Sequence, residues 1–169
     1  MDPDMLVPIL LGATALAFAV ARKGRKMNSS PEEKRAAVVR LAAAELGSAD
    51  RARYTVPVLG RDDRLSWCGI FALWAYQAAG LMTGVAWVLG SGFASRWLRP
   101  YSPTGPERPQ QADLAYFTKN QHQAIVEDYD PTTDTVSLIN GNGWGGRVTR
   151  TRHPRSAITL FYSVDRWVA

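Results

Sequence analysis

The chain has one cysteine, Cys68, in 169 residues, and two histidines, His122 and His153. A lone cysteine excludes an internal disulfide and a cysteine-built zinc centre. Two histidines leave a transition-metal site short of ligands, so neither a metal nor another cofactor is expected. Charge of one sign does not dominate: 20 Lys and Arg face 15 Asp and Glu, a net of +5. A hydrophobic share of 46% with 21% charged residues is that of a folded chain, not of a disordered one. There is no internal repeat. No DNA- or RNA-binding motif accompanies the basic residues, so nucleic acid is not an expected partner. Those residues gather in "RKGRK" (Arg22 to Lys26) and "RVTRTRHPR" (Arg147 to Arg155). The second reads as a solvated strand face.

Long hydrophobic runs are also scarce. The single one, Met5 to Ala21, would form a helix of roughly 25 Å at about 1.5 Å per residue, near the lower limit for a bilayer. "AVA" before Arg22 has the form of a signal-peptide cleavage site. Asp2 and Asp4 stand where a secretory signal carries positive charge, and the basic cluster follows the run instead. The positive-inside rule would then hold that cluster on the cytoplasmic side. A protein delivered from outside need not obey host insertion rules. A membrane anchor or a virion segment therefore ranks above a cleaved signal. Residues 1–27 are expected to form this hydrophobic helix with its basic flank, and 28–169 the working domain.

That domain opens on "NSSPEEKRAAVVRLAAAELG", in which Ser30, Pro31 and Glu33 predict a capping box with proline at the first helical position. Ala37, Val38, Leu41, Ala42, Ala44 and Leu46 supply an apolar face, and Gly47 a stop. A loop rich in charge and turn residues is expected up to Arg64. A second helix starts beyond it, capped by Ser66, with Ile70, Phe71, Trp74, Ala75 and Ala78 facing inward. One short irregular helix is expected within residues 81–99, then a proline-rich loop, "PYSPTGPERPQQ". From Ala112 the period becomes two, and "DLAYF", "HQAIVEDY", "TVSLIN", "GRVTRT" and "AITLFYSV" predict five strands. Helices followed by a run of strands argue α+β, with helices packed on an antiparallel sheet.

Cys68 is either a small buried hydrophobe or a nucleophile mounted at a helix start. In the first turn it would lie near unpaired backbone N–H groups and the positive end of the helix dipole, which favour thiolate. The same N–H groups can hold an oxyanion. His122 opens the second strand and shares a face with Ala124 and Val126, while Val136, Leu138, Asn140 and Asn142 share a face of the third. A hairpin folded about Thr132 brings Asn140 and Asn142 opposite positions 124 and 122. A carboxamide oxygen there can take one imidazole nitrogen and leave the other for the thiol proton.

"SWCGIFALWAYQAAG", "ADLAYF", "HQAIVEDYD" and "INGNG" together resemble the cysteine, histidine-dependent amidohydrolase/peptidase (CHAP) domain, within the NlpC-type group of papain-like folds. The resemblance runs from about Tyr54 to Val164. It implies a papain-like fold and a hydrolase, amidase or endopeptidase, that cuts amide bonds in peptidoglycan. It assigns Cys68 as nucleophile, His122 as base and acid, Asn140 as the residue that orients the histidine, and Asn142 as a further asparagine of the motif. Tyr54 is a candidate second oxyanion donor. Trp67 and Trp144, with Trp87 and Trp97, are candidates for the substrate groove, at least two of them for the core. The sequence departs from the family pattern at Ala112, where glycine is usual, and at Asn140, where glutamate is common. Asp113 reads as structural. Peptidoglycan is the expected partner, with membrane contact through Met5 to Ala21 and with phage-tail or envelope proteins beside it. The expected location is a phage-tail-like particle or the bacterial envelope. The rival reading is a structural tail or envelope component whose papain-like domain serves as a plug or binding module. Acyl transfer to an amine would use the same residues.

Overall fold

The computed structural model describes residues 29–89 and 92–169. The run Met5 to Ala21, the basic cluster after it and the expected domain start at Asn28 lie outside the described residues. Among those described, no helix is long and apolar enough to cross a membrane. The chain is α+β. Helices α1 (Pro31–Ala44), α2 (Ala52–Leu59), α3 (Cys68–Ala78) and α4 (Gly92–Trp97) precede most of the sheet. Strands β1 (Arg99–Tyr101), β2 (Leu114–Phe117), β3 (His122–Asp130), β4 (Thr135–Asn140), β5 (Thr149–Pro154) and β6 (Leu160–Ser163) follow, and α5 (Asp165–Val168) closes the chain. The strands form one antiparallel sheet in the order β1-β6-β2-β3-β4-β5.

The capping box of α1 is present: Ser30 Oγ accepts from the Glu33 N–H, and the Glu33 carboxylate accepts from the Ser30 N–H. Its buried residues are Arg35, Val38, Val39 and Ala42, so the inward face carries an arginine that the apolar pattern did not include. Arg35 meets buried Asp113 at 2.9 Å, and Asp113 also accepts from the Tyr101 hydroxyl at 2.6 Å and the Gln110 N–H at 3.1 Å. One carboxylate thus ties α1, β1 and the entry to β2 together. Asp113 is structural, as its place before the strand implied.

Two elements depart from the expected order. The stretch read as loop up to Arg64 contains α2. Pro57 deprives this helix of a backbone donor. Packing holds it: the Tyr54 ring stacks on Trp67 and meets Phe71 and Trp74 edge-on, all with centroids 5.1–5.2 Å away. Strand β1 begins the segment read as proline-rich loop. Pro100 is tolerated because β1 is an edge strand, bonded to β6 alone. Helix α3 is buried almost all round, including Ala72, Leu73 and Tyr76, whereas Ala78 of the expected stripe is exposed. It is the central helix, packed by α1, α2 and the sheet.

Two local features bring the sheet to the helix. Near the turn, Tyr129 pairs with Val136, but beyond Glu127 the partners become Val126 with Leu138 and Ile125 with Ile139. Glu127 is the extra residue of a bulge. The register expected from a fold about Thr132 therefore holds only beyond the bulge. A one-residue slip turns every side chain over, so the bulge puts Asn140 on the face that carries His122. Gly141 then passes so close to α3 that a Cβ there would lie 2.3 Å from Phe71 Cβ. Ala112 adopts φ +66°, in the left-handed region where glycine is at ease.

Gly141→Ala is expected to lower stability by about 1–3 kcal/mol through overpacking against Phe71, measured by urea unfolding. Ala112→Gly is expected to be neutral or stabilising in the same measurement, since it relieves a left-handed alanine.

Candidate active site

Cys68 is the first residue of α3. Trp67 occupies the cap position and no side chain caps the helix, so Ser66 does not play the capping part expected of it. Its hydroxyl lies 3.7 Å from the Cys68 sulfur and accepts a hydrogen bond from Asn142 Nδ2 at 3.2 Å. With its lone pair engaged by the amide, the Ser66 hydroxyl has its proton free for the sulfur. Cys68 is 5% exposed, yet it forms part of the wall of an open depression. The sulfur is shielded without being sealed.

The His122 ring is held from its far side. Nε2 lies 2.8 Å from Asn140 Oδ1. The Asn140 amide nitrogen reaches the Thr149 carbonyl at 3.2 Å and Thr151 Oγ1 at 3.0 Å. A carbonyl accepts only, so the nitrogen must face Thr149 and the oxygen must face the histidine. Nε2 therefore carries a proton, and Nδ1 is the nitrogen left for the sulfur, with which His122 is hydrogen-bonded. Asn140 is itself 4% exposed, and its strand position is fixed by pairing with Thr149.

The protonation of the pair follows from these contacts. Burial pushes the Cys68 thiol up. The hydrogen bond and charge of His122 oppose burial, as do the Gln123 backbone N–H and the Ser66 hydroxyl, and together they bring the thiol below its ordinary value. Burial likewise lowers the His122 imidazolium, but the sulfur and the Asn140 oxygen raise it above the usual histidine range. Both shifts favour thiolate beside imidazolium.

Two depressions flank the pair. One, of about 530 Å³, is lined by His122, Asn140, Asn142, Phe117, Trp144 and His153 among others. The other, of about 170 Å³, is lined by Cys68, Ser66, Trp87, Leu89, Gln121 and Gln123. Asn120 borders both. Trp144, 75% exposed, lines the larger depression, and Trp87 lines the smaller. Trp67 does not: it is 4% exposed in the core, stacked on Tyr54. Trp97 packs against the core and Trp167. Tyr54 is not brought to the sulfur either. It is fully buried, its hydroxyl donates to Glu45 at 2.9 Å, and burial pushes its pKa up to about 12.

Ser66, Asn120 and the Gln123 N–H were missed as site groups. Ser66 sits two residues before Cys68, where the signal for a helix cap hid it. The other two flank His122 in sequence, and nearness to a candidate base was their only signal. The basic stretch Arg147 to Arg155 is largely neutralised: Arg150 pairs with Glu127, Arg152 with Asp130 and Arg155 with Asp134.

No protein-family model and no curated protein matches the chain. Among solved structures, the chain is similar to Ly7917, with 19% identity and a TM-score of 0.47 over 76% of this chain and 61% of that one. It is similar also to Ly7917 with the hydrolysing product of MDP, at 18% identity and a TM-score of 0.46 over 76% and 62%. The chain thus spans under two thirds of the length of that protein.

Because Cys68 is the only cysteine, alkylation reads it alone. The rate with iodoacetamide is expected to persist to pH below the ordinary thiol range and to fall only as the thiolate is protonated. In His122→Ala, burial is left to dominate and the midpoint moves up. Equal midpoints in the two proteins would contradict the pairing.

Proposed function

We propose that this protein is a cysteine hydrolase of the CHAP kind, papain-like in its active-site plan, that cuts amide bonds in peptidoglycan. The observation that carries the proposal is the fixed Asn140 carboxamide. It sets the imidazole so that its free nitrogen meets a thiol at the start of a helix, between two open depressions.

In the first step the Cys68 thiolate attacks the amide carbon and a C–S bond forms. Backbone N–H groups at the α3 start, that of Cys68 included, receive the charge on the carbonyl oxygen. The imidazolium of His122 gives its Nδ1 proton to the nitrogen, the C–N bond breaks, and a thioester remains. Water then gives a proton to Nδ1, its oxygen bonds to the carbonyl carbon, and the C–S bond breaks to return the thiolate. Asn140 keeps the ring turned to the sulfur through both steps. Asn142 acts one bond further out, on Ser66.

The wall polymer as substrate rests on the resemblance of the four motifs. The β5 arginines lend it little, since their charges are matched. A bacterial envelope, or a particle that attacks one, is the setting this reading implies.

The test is turbidity loss of purified cell walls. Cys68→Ala is expected to abolish it with unchanged circular dichroism, and His122→Ala to reduce it by about 10²–10⁴-fold. For a soluble substrate, kcat/KM should rise with pH through the lowered thiol pKa and fall through the raised imidazolium pKa. Undiminished lysis by Cys68→Ala would remove Cys68 as the nucleophile, and absence of lysis by the wild type would remove the hydrolase reading and leave the plug or binding module.

A further inference from the structure

Tyr54, the expected second donor to the oxyanion, gives its hydroxyl to Glu45 in the core. Another hydroxyl stands beside the sulfur instead. Ser66 Oγ lies 3.7 Å from Cys68 Sγ, and the two residues line the same depression. Ser66 is exposed, so its side chain adds little to the packing of the fold.

A serine hydroxyl has one proton to give and lone pairs to receive. The Asn142 amide nitrogen takes the receiving side at 3.2 Å. Asn142 adopts φ +51° in the turn after β4, left-handed backbone that asparagine enters more readily than most side chains. The turn thus carries a donor to the hydroxyl and leaves the proton of Ser66 for a negative neighbour.

That neighbour changes during the reaction. In the free enzyme it is the thiolate. Once sulfur has bonded to the amide carbon, the charge has passed to the carbonyl oxygen, and a thioether sulfur is only a weak acceptor. A backbone N–H keeps its direction, whereas a hydroxyl turns about its own C–O bond. The charged oxygen lies two bonds from the sulfur, and a donor must come within about 2.7–3.1 Å of it. A hydroxyl oxygen 3.7 Å from the sulfur lies in that range for a carbonyl oxygen turned toward it.

We propose that Ser66 is a further catalytic residue, a donor that follows the charge. It hydrogen-bonds the Cys68 sulfur in the free enzyme and the carbonyl oxygen in the tetrahedral intermediate, and its own proton stays on Oγ throughout. Asn142 is the positioning residue that turns the hydroxyl. The inference rests on the hydrolase reading above and adds a side-chain donor to the backbone N–H groups at the start of α3.

The experiment compares the full chain with Ser66→Ala and Ser66→Thr on muropeptides released from purified walls by a muramidase, with iodoacetamide alkylation of Cys68 run beside it. Both variants should keep the wild-type circular dichroism, since Ser66 is exposed. In Ser66→Ala the alkylation midpoint should move up, because the thiolate loses a donor. Its kcat should fall by about 10²–10³-fold with KM little changed, well beyond the loss of thiolate that alkylation measures. Ser66→Thr, which keeps the hydroxyl, should recover most of kcat. A fall in kcat no larger than the fall in thiolate would overturn the donor role at the oxygen. Equal losses in the alanine and threonine variants would overturn the part given to the hydroxyl. Either result leaves the hydrolase intact, whereas absence of Cys68-dependent cleavage by the wild type would remove the hydrolase reading and this inference with it.

Discussion

An imidazole can serve a thiol only when its far nitrogen is held, and here the Asn140 carboxamide does the holding. Rotation of that amide is prevented by the Thr149 carbonyl, which accepts from its nitrogen and leaves the oxygen for His122. Every later property of the site depends on this choice: the tautomer, the nitrogen turned to sulfur, and the opposite shifts of the two groups. An asparagine does this by orientation and by the hydrogen bond its oxygen accepts from the ring, which raises the imidazolium pKa. It brings no charge, so the charge that favours imidazolium comes from the Cys68 sulfur.

The sheet and central helix exist in a form that makes this contact possible. The bulge at Glu127 turns the end of β4 so that His122 and Asn140 share a face, and Arg150 grips the bulged carboxylate with two bonds at 2.6 Å. Gly141 lets the same strand end come against Phe71 of α3, one turn along from Cys68. Asn142 continues the strand to Ser66 and so to the sulfur from its other side. Three successive residues after Ile139 thus orient the imidazole, close the gap to the helix and position the Ser66 hydroxyl beside the Cys68 sulfur.

Much of the site was legible because its groups lie on regular elements. A period of two placed His122 and Asn140 on their faces, and the cap signal at Ser66 placed Cys68 in a first turn, where it lies although Ser66 does not cap the helix. Five strands were readable for the same reason. What escaped was set by tertiary contact. Helix α2 contains Pro57 and is held by the aromatic cluster around Tyr54. Strand β1 is three residues long and is defined by β6. Trp67 was read as a groove candidate and Tyr54 as an oxyanion donor, but ring stacking commits both to the core. Ser66 carried a cap signal, and its use beside the sulfur depends on a hydrogen bond from residue 142, which no local pattern contains.

The charge-separated pair is the claim on which the chemistry stands, and nitrogen-15 NMR of the two histidines reads it directly, with His153→Gln to assign His122. The account predicts a doubly protonated His122 ring that persists to pH above the ordinary histidine range. In Cys68→Ala the same ring should titrate at lower pH, with the remaining proton on Nε2. A His122 that titrates identically with and without the sulfur, or whose neutral form carries its proton on Nδ1, would contradict it.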